Sequence, residues 1–404
     1  MTQSGDVAPE VRLLLVGRGL RAFVDGYVAV LLPAYLLALG YGTWEVGLLS
    51  SATLLGSALA TLAVGAWGQH FHQRHLLLAA ALLMAATGLA FAGLSDFWPL
   101  LLVAFVGTLN PSAGDVSVFL PLEHARLAEA AQGGTTLTTL FARYSLTGAL
   151  FAALGSLAAA VPEVLAGQGI APLAALRFMF VVYGGVGLAV WLLYRRLPEP
   201  SPHERPKAAA PLGVSRPVVV RLAALFSVDS FAGGLVVNSL LALWLFQRFD
   251  LSLASAGAFF FWSGLLSALS QLAAPRLARR IGLINTMVFT HIPANVCLML
   301  AAFAASLPVA LGLLLARSAL SQMDVPTRSA FVMSVVTPAE RTAAASFTAV
   351  PRSLAAALGP TLGGALFAAG WLAAPLVAGG ALKIAYDVAL FIAFRRHRAH
   401  EQNE

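Results

Sequence analysis

Charged residues and cysteine are scarce in this sequence. Of 404 residues, 11% are charged and 59% are hydrophobic, and the mean hydropathy is +0.82. Cys297 is the one cysteine and lies in an apolar run, which excludes a disulfide framework and favours a small core residue. Apolar runs of about 20 residues recur along the chain, each long enough to cross a bilayer. The composition therefore predicts an all-α polytopic membrane protein.

Several other patterns are missing. There is no period-two alternation of a β-barrel, and the apolar runs are too long for core strands. The polar, acidic start has no signal-peptide pattern, so we expect the first helix to act as its own insertion signal. No phosphate-binding Gly-rich motif is present, which argues against ATP hydrolysis in this chain. We expect no cofactor and no enzymatic activity.

Lysine is also rare, since 23 of the 25 basic residues are arginine. The net charge of +7 could suggest nucleic acid, but the arginines cluster in alternate loops. That is the positive-inside pattern of a cytoplasmic face. We therefore expect both termini in the cytoplasm, an inner (plasma) membrane location, lipid contact and no nucleic acid.

The apolar runs predict twelve transmembrane spans. Their approximate bounds are 14–40, 45–68, 76–94, 98–121, 136–160, 172–194, 218–246, 255–275, 283–305, 308–331, 343–368 and 374–394. A Pro-rich, charged stretch at 195–217 predicts a cytoplasmic linker between two six-helix bundles, 1–194 and 218–404, the second ending in a basic tail.

The two halves align on each other at an offset of 209 residues. The aligned pairs are Tyr35 with Trp244, Asp115 with Asp324, Arg143 with Arg352, and Gly155 with Gly364. Each half thus carries an acid and a base 28 residues apart. Internal repeats are common in transporters, with the substrate path at the repeat interface.

Residues 312–364 carry the most informative charges. Arg317, Asp324 and Arg328 interrupt one apolar segment and Arg352 the next. Each such group costs roughly 2.5–3.5 kcal/mol on insertion scales, so packing alone does not explain them. Between the segments, residues 337–340 read Thr-Pro-Ala-Glu, which predicts a capping box opening the second helix at a turn.

The chain resembles the major facilitator superfamily over nearly its full length, in its two six-helix halves, basic central linker and inside termini. The loop between the second and third spans keeps Gly65 and Arg74 of the family signature, but Gln69 and His72 replace its acid and second glycine. The second-half copy keeps Arg280 and Gly282. The resemblance implies gating roles for Gly65, Arg74 and Gly282.

Two further patterns stand in the second half. The Leu-Leu-Ala-Arg run ending at Arg317 resembles the arginine motif of proton-coupled members. Residues 359–364, Gly-Pro-Thr-Leu-Gly-Gly, resemble the end of the antiporter motif, although they fall on a different helix from the family's. The resemblance implies hinge roles for Gly359, Pro360, Gly363 and Gly364.

The first helix carries Arg21 and Asp25 at i,i+4, with Arg18 on the same face. Asp25 is either a cavity acid tuned by the arginines or a neutralising partner of arginines that extend to the surface. Asp229 has no charged neighbour within a turn. It is either a proton-coupling acid, which holds its proton more tightly in low dielectric, or an acceptor for Ser227 and Ser230.

The repeat predicts two ion pairs, Asp115 with Arg143 and Asp324 with Arg352, each at one depth on neighbouring helices. These pairs either line the central path or its inner gate, or clamp adjacent helices. We expect Lys383 and Asp387 to form an i,i+4 structural pair.

Other polar residues are candidate cavity linings, or else ordinary helix–helix hydrogen-bonding groups. They are Asn110, Tyr144, Asn238 and His291. His70, His72 and His75 resemble a metal cluster but fall in a short loop, so we expect no metal site.

These patterns predict a secondary transporter that moves a small molecule by alternating access as a monomer. Proton-coupled efflux by antiport is favoured, and proton-coupled uptake is the alternative. A scramblase, an intramembrane enzyme or a sensor is a remoter alternative, because the polar groups are spread over many helices and no signalling domain is attached. The substrate is not readable from the sequence.

Overall fold

The computed structural model describes residues 9–112, 117–130, 137–198, 212–337 and 340–394. This part of the chain is almost entirely helical and contains no β-strand. It divides into two compact units, Met1–Glu204 with Leu251–Phe261, and Arg205–Asp250 with Trp262–Glu404. The predicted all-α membrane fold is therefore confirmed.

The first unit contains eight α-helices among its described residues. They are α1 (Pro9–Ala38), α2 (Thr43–Trp67), α3 (Gln73–Gly93), α4 (Phe97–Val106), α5 (Phe119–Ala130), α6 (Leu137–Leu157), α7 (Val161–Gly167) and α8 (Pro172–Tyr194).

The remaining helices begin after the predicted linker. They are α9 (Arg216–Gly234), α10 (Asn238–Phe249), α11 (Leu253–Ile281), α12 (Leu283–Ala302), α13 (Leu307–Ser321), α14 (Asp324–Ser334), α15 (Arg341–Ala368) and α16 (Ala374–Phe394). Helix α11 begins in the first unit and continues into the second.

The internal repeat is visible in the helix packing. In the first unit α1 packs on α6 and α3 packs on α8. In the second unit the equivalent helices make the same contacts, α9 on α15 and α12 on α16. The offset of 209 residues thus relates two copies of one packing arrangement.

Three predicted spans are interrupted, which corrects the sequence analysis. The span predicted at 98–121 is divided into α4 and α5, that at 308–331 into α13 and α14, and that at 218–246 into α9 and α10. Hydropathy does not reveal these breaks, since the apolar character continues through them. Interrupted helices leave backbone groups without helical partners, a feature of transporter cores.

Nine segments of the described chain are long and apolar enough to cross a membrane. The predicted count of twelve is not confirmed by this criterion, partly because α4 and α13 are short helices of 10 and 15 residues. The predicted domain bounds and the cytoplasmic linker stay predictions, since residues 199–211 lie outside the described ranges, as does the basic tail from 395 onward.

Close backbone contact explains the glycines on the paired helices. A Cβ on Gly155 of α6 would lie 1.8 Å from the Phe23 carbonyl oxygen of α1. A Cβ on Gly359 of α15 would lie 2.4 Å from the Gly234 carbonyl carbon of α9. Small residues allow helix backbones to approach in membrane bundles. The same helix pair is therefore packed through glycine in both units.

The predicted capping box between α14 and α15 is wrong. Helix α15 begins at Arg341, and Thr337 donates its hydroxyl to the Glu340 carboxylate at 2.7 Å instead of capping a helix. Glu340 also accepts hydrogen bonds from the Ser215 hydroxyl, at 2.5 Å, and from the Gly213 amide. These bonds, led by the one from Ser215, lower the pKa of Glu340 to about 2. The carboxylate thereby attaches the start of α9 to this loop, while Pro338 lies outside the described residues.

Candidate functional site

Asp229 of α9 is the centre of a buried charge cluster in the second unit. Its side chain is 3% exposed, and it accepts a hydrogen bond from Lys383 Nζ of α16 at 2.6 Å. Arg328 of α14 approaches the other carboxylate oxygen at 3.2 Å. Asp229 has no charged neighbour within a turn of α9, but it has two charged partners in space. The alternative of an acceptor for Ser227 is wrong, since Ser227 donates to the Ala223 carbonyl oxygen. Both charged partners come from helices remote in sequence, which a search within one helical turn does not reach.

Arg328 also forms an ion pair with Asp324, one turn earlier on α14. The predicted pair of Asp324 with Arg352 is wrong. The break before α14 places Asp324 in the first turn of a new helix, where an acid is favourable and the residue four positions on is its nearest cation. Arg328 therefore holds two carboxylates, those of Asp324 and Asp229.

Arg352 of α15 points to α9 instead. Its Nε donates to the Ser230 hydroxyl at 3.2 Å. Ser230 follows Asp229 directly, so Arg352 lies at the edge of the charge cluster without a carboxylate partner in the described chain.

The second pair of the cluster joins α12 and α16. His291 Nδ1 lies 3.0 Å from both carboxylate oxygens of Asp387, and both residues are buried. The predicted i,i+4 pair of Lys383 with Asp387 is wrong in its partners, since Lys383 donates to Asp229. The two residues share a face of α16, but each is matched by a different neighbouring helix.

The first unit contains its own buried charge centre, at Glu123 of α5. This carboxylate is 0% exposed and accepts a hydrogen bond from Arg21 of α1 at 2.5 Å. The hydroxyls of Tyr144 and Tyr194, on α6 and α8, also donate to it. Sequence reasoning missed Glu123 because it stands just past the predicted end of a span at residue 121. The signal available was an acid flanked by the apolar residues 119–122.

The helix-one residues are arranged around this centre. Arg21 lies over the Phe119 ring, with Cζ 3.9 Å from its centroid, and Arg18 lies over the Tyr144 ring at 5.0 Å. Both arginines are buried, which argues against side chains that extend to the surface. Asp25 is buried on α1, while the cation predicted to tune it, Arg21, contacts Glu123.

The remaining candidate lining residues are dispersed. Asn110 follows α4 and accepts from the Ser112 amide and hydroxyl, at 3.1 and 2.7 Å. Asn238 is the first residue of α10. Arg317 is half-buried on α13, and Arg143 is exposed on α6. The predicted partner of Arg143, Asp115, lies outside the described residues, so that pair stays a prediction.

The predicted gating residues fall into two groups. Arg74 donates to the Arg195 carbonyl oxygen at 2.7 Å, and Gly282 precedes α12 with a φ of +87°, a left-handed conformation that favours glycine. Gly65 has open space around its Cβ position. The second group, Gly359, Pro360, Gly363 and Gly364, lies within α15. Gly359 and Gly363 contact the end of α9, and a hinge role for the group stays a prediction.

The histidines of the loop between α2 and α3 are not gathered around one point. The rings of His72 and His75 lie 5.4 Å apart, while His70 Nδ1 lies 3.1 Å from the Trp67 carbonyl oxygen. Among the described residues, no group of three or more histidine, cysteine or acidic side chains has the geometry of a metal site.

The sequence matches the model of the Major Facilitator Superfamily over residues 14–320. An uncharacterized membrane protein of Saccharomyces cerevisiae is 23% identical over 421 residues, covering 95% of this chain and 94% of that one. A D-xylose transporter of Levilactobacillus brevis is 32% identical over 111 residues, which is 28% of this chain and 24% of that one. A crystal structure of the nucleoside transporter NupG superposes with a TM-score of 0.73 at 15% identity, covering 96% and 100% of the two chains.

Proposed function

Because the chain belongs to the major facilitator superfamily of membrane transporters, we propose that it moves its small-molecule substrate by coupling to the proton gradient. The family match spans residues 14–320, more than half of the chain. Transport by this fold needs no bound cofactor, and the proton gradient supplies the driving force. The proposed setting is the inner (plasma) membrane, with both termini cytoplasmic and the monomer as the working unit.

One observation carries the proposal of proton coupling, namely the sharing of the Asp229 carboxylate between Lys383 and Arg328. A proton added to Asp229 removes the charge that holds both cations. Lys383 is then free to contact a solute, while Arg328 keeps its ion pair with Asp324. A bound solute in turn favours the proton on Asp229, because coupling between two ligands is reciprocal. Ionisable residues inside membrane domains commonly mark such relays.

This linkage favours symport, in which proton and solute bind together. Efflux by antiport, the direction favoured by the sequence, remains the second candidate because residues 359–364 resemble part of the antiporter motif. In antiport the solute would displace the proton from the cluster. The two candidates therefore predict proton fluxes of opposite sign.

Proteoliposomes loaded with a pH-sensitive dye test both points. The probes are two uncharged solutes suggested by the names of similar proteins, D-xylose and uridine, with their anionic counterparts D-xylonate and uridine monophosphate. Adding a transported probe outside should acidify the lumen for symport and make it alkaline for antiport. A probe that enters without any proton flux would contradict coupling.

The informative variant is Asp229→Asn, with Asp250→Asn as its matched control. Asp229→Asn should abolish gradient-driven accumulation and keep downhill exchange, because the amide cannot carry the proton but occupies the same volume. Asp250 is exposed and adopts a φ of +50°, which asparagine tolerates well. The control should transport like the wild type. Unchanged accumulation in Asp229→Asn would remove this residue from the coupling mechanism, and Asp25→Asn then tests the other candidate acid.

A further inference from the structure

Arg317 is a half-buried cation that the coupling scheme does not use. It lies on α13, eleven residues into a helix of fifteen, and its Nε is inaccessible to solvent without a hydrogen-bond partner. No carboxylate or other hydrogen-bonding group in the described chain contacts its guanidinium. A guanidinium stays charged in proteins and has five donors, so its low-dielectric position is costly unless a partner is supplied.

The polar side chains near Arg317 on the neighbouring elements pair with one another. Ser318, the next residue, exchanges a hydrogen bond with Ser263 of α11 at 2.7 Å. Gln271 of α11 and Gln322 contact each other at 3.5 Å. The carbonyl groups at the end of α13 can offset part of the charge, as helix C-termini do for cations. None of these groups supplies a full negative charge.

Arg352, on α15, also has no carboxylate as an ion-pair partner in the described chain. Its Nε donates to Ser230, and the acid predicted to pair with it, Asp324, is held by Arg328. No carboxylate among the described residues forms an ion pair with this guanidinium, although Asp229 is near enough to attract it. Arg317 and Arg352, on different helices of one unit, therefore both lack a carboxylate in direct contact.

The charge balance of the whole cluster shows the same excess. Its cations outnumber its carboxylates by one, since they are Arg317, Arg328, Arg352 and Lys383 against Asp229, Asp324 and Asp387. All three carboxylates already contact a cation or an imidazole. Protonation of His291, or of Asp229 during coupling, would make the cluster more positive.

We infer that the transported substrate is an anion whose carboxylate, phosphate or sulfonate group binds Arg317, Arg352 or both. The inference rests on the proposed transport function and names its substrate class. A planar guanidinium matches these groups through two parallel hydrogen bonds. The anion supplies the negative charge that the cluster lacks, and protonation of Asp229 increases the need for it. The same chemistry would also hold a small inorganic anion, which the test must separate from a substrate.

The first arm of the test uses the ligand-free protein in detergent, with no gradient. Arg317→Met and Arg352→Met should each raise the midpoint of thermal unfolding, since each removes a partly buried charge that has no ion-pair partner and keeps most of the side-chain volume. Arg276→Met, on the exposed end of α11, is the matched control and should leave the midpoint unchanged. A lower midpoint for both arginine variants would mean that the protein already compensates these arginines, and would overturn the inference.

The second arm measures stabilisation by matched probes. D-xylonate, uridine monophosphate or isethionate should raise the midpoint where D-xylose and uridine do not. Arg317→Met, Arg352→Met or both should weaken the binding of that anion by about tenfold or more, as expected for losing a charge-assisted hydrogen bond, and no loss in either variant would overturn the inference. Three results would each overturn the inference: an equal rise in the midpoint with the anionic probes and with their uncharged counterparts, no rise with any anion, or a rise with chloride or phosphate alone. Because neither arm involves protons, such a failure would leave the coupling proposal standing.

Discussion

The two units link equivalent helices with ion pairs of opposite polarity. In the first unit the cation, Arg21, is on the opening helix α1, and the acid, Glu123, follows the helix break on α5. In the second unit the acid, Asp229, is on the opening helix α9, and the cation, Arg328, follows the break on α14. At the offset of 209 residues Arg21 aligns with Ser230, the neighbour of Asp229. The helix arrangement is repeated, but the acid and the cation of the ion pair exchange places between the two units.

The two pairs also differ in how fully their partners are matched. Glu123 is held by one cation and two tyrosine hydroxyls, all buried, so its negative charge is balanced within the first unit. Asp229 is shared by two cations, one of which also holds Asp324. A carboxylate whose charge is balanced by its own partners stabilises one arrangement of the helices. A carboxylate shared between two cations allows a change of partner. This difference supports a structural role for the first centre and the proposed coupling role for the second.

The largest expected effect is at Glu123. Glu123→Ala leaves Arg21 as an uncompensated buried cation and removes the acceptor of two tyrosines, at a cost of about 3–5 kcal/mol in the free energy of unfolding. Removing both charges, in Glu123→Ala with Arg21→Ala, should recover part of this loss. Denaturant unfolding in detergent measures both. Additive effects of the two changes would mean that Arg21 and Glu123 are not coupled, which would contradict a structural role for the pair.

The next effect concerns the packing that the two units share. Gly155→Ala and Gly359→Ala each insert a Cβ into a backbone contact, which should destabilise the protein by about 1–3 kcal/mol. Gly65→Ala is the control, because its Cβ would meet open space within a helix, so the change should be neutral or stabilising by about 0.5–1 kcal/mol. If one of the two glycines tolerated alanine, the two units would not share the close helix packing through glycine.

A smaller effect separates the observed partner of Asp324 from the predicted one. A double-mutant cycle of Asp324→Ala with Arg328→Ala should give a coupling energy of about 0.5–3 kcal/mol, as for residues in contact. The matched cycle with Arg352→Ala should be additive to within about 0.5 kcal/mol. Thermal or denaturant unfolding provides both values. The opposite ranking would restore the repeat-based pairing of Asp324 with Arg352.

The smallest effect is at Glu340, which attaches the start of α9 to the loop before α15. Because the pKa of Glu340 in the folded protein is lowered from 4.5 to about 2, its bonds to Ser215 and Gly213 stabilise the protein above pH 4.5 and are lost as the pH falls through about 2. The difference in thermal midpoint between wild type and Glu340→Gln should be constant above pH 4.5 and shrink below it. A difference that does not vary with pH would show that charge on Glu340 plays no part.

The helix pattern was largely predictable from the sequence. The spans predicted at 172–194 and 374–394 coincide with α8 and α16, because long apolar runs with polar ends determine membrane helices directly. The helix breaks were missed, although Asn110-Pro111 before α5 and Pro326 near the start of α14 are turn and helix-start signals. A hydropathy average does not register such signals. Helix-breaking residues are also tolerated within membrane helices, because neighbouring helices can satisfy the freed backbone groups.

The charge partners were much less predictable. The internal repeat predicted a pair of Asp324 with Arg352, and the i,i+4 spacing predicted a pair of Lys383 with Asp387. In the structure each of these residues has another partner. Glu123 was missed because the span was predicted to end at residue 121, whereas α5 continues to Ala130. Side chains on one helix face several neighbours, and a one-turn shift between two helices changes which partner is within reach.

The sequence by itself determined the membrane class, the repeat and the presence of costly buried charge. Apolar length, repeat spacing and charge frequency are properties of the chain that need no knowledge of packing. Only the tertiary structure decided which charges meet. Arg21 and Glu123 are 102 residues apart, and Asp229 and Lys383 are 154 apart. Contacts over such separations depend on the relative register of packed helices, which no local pattern records.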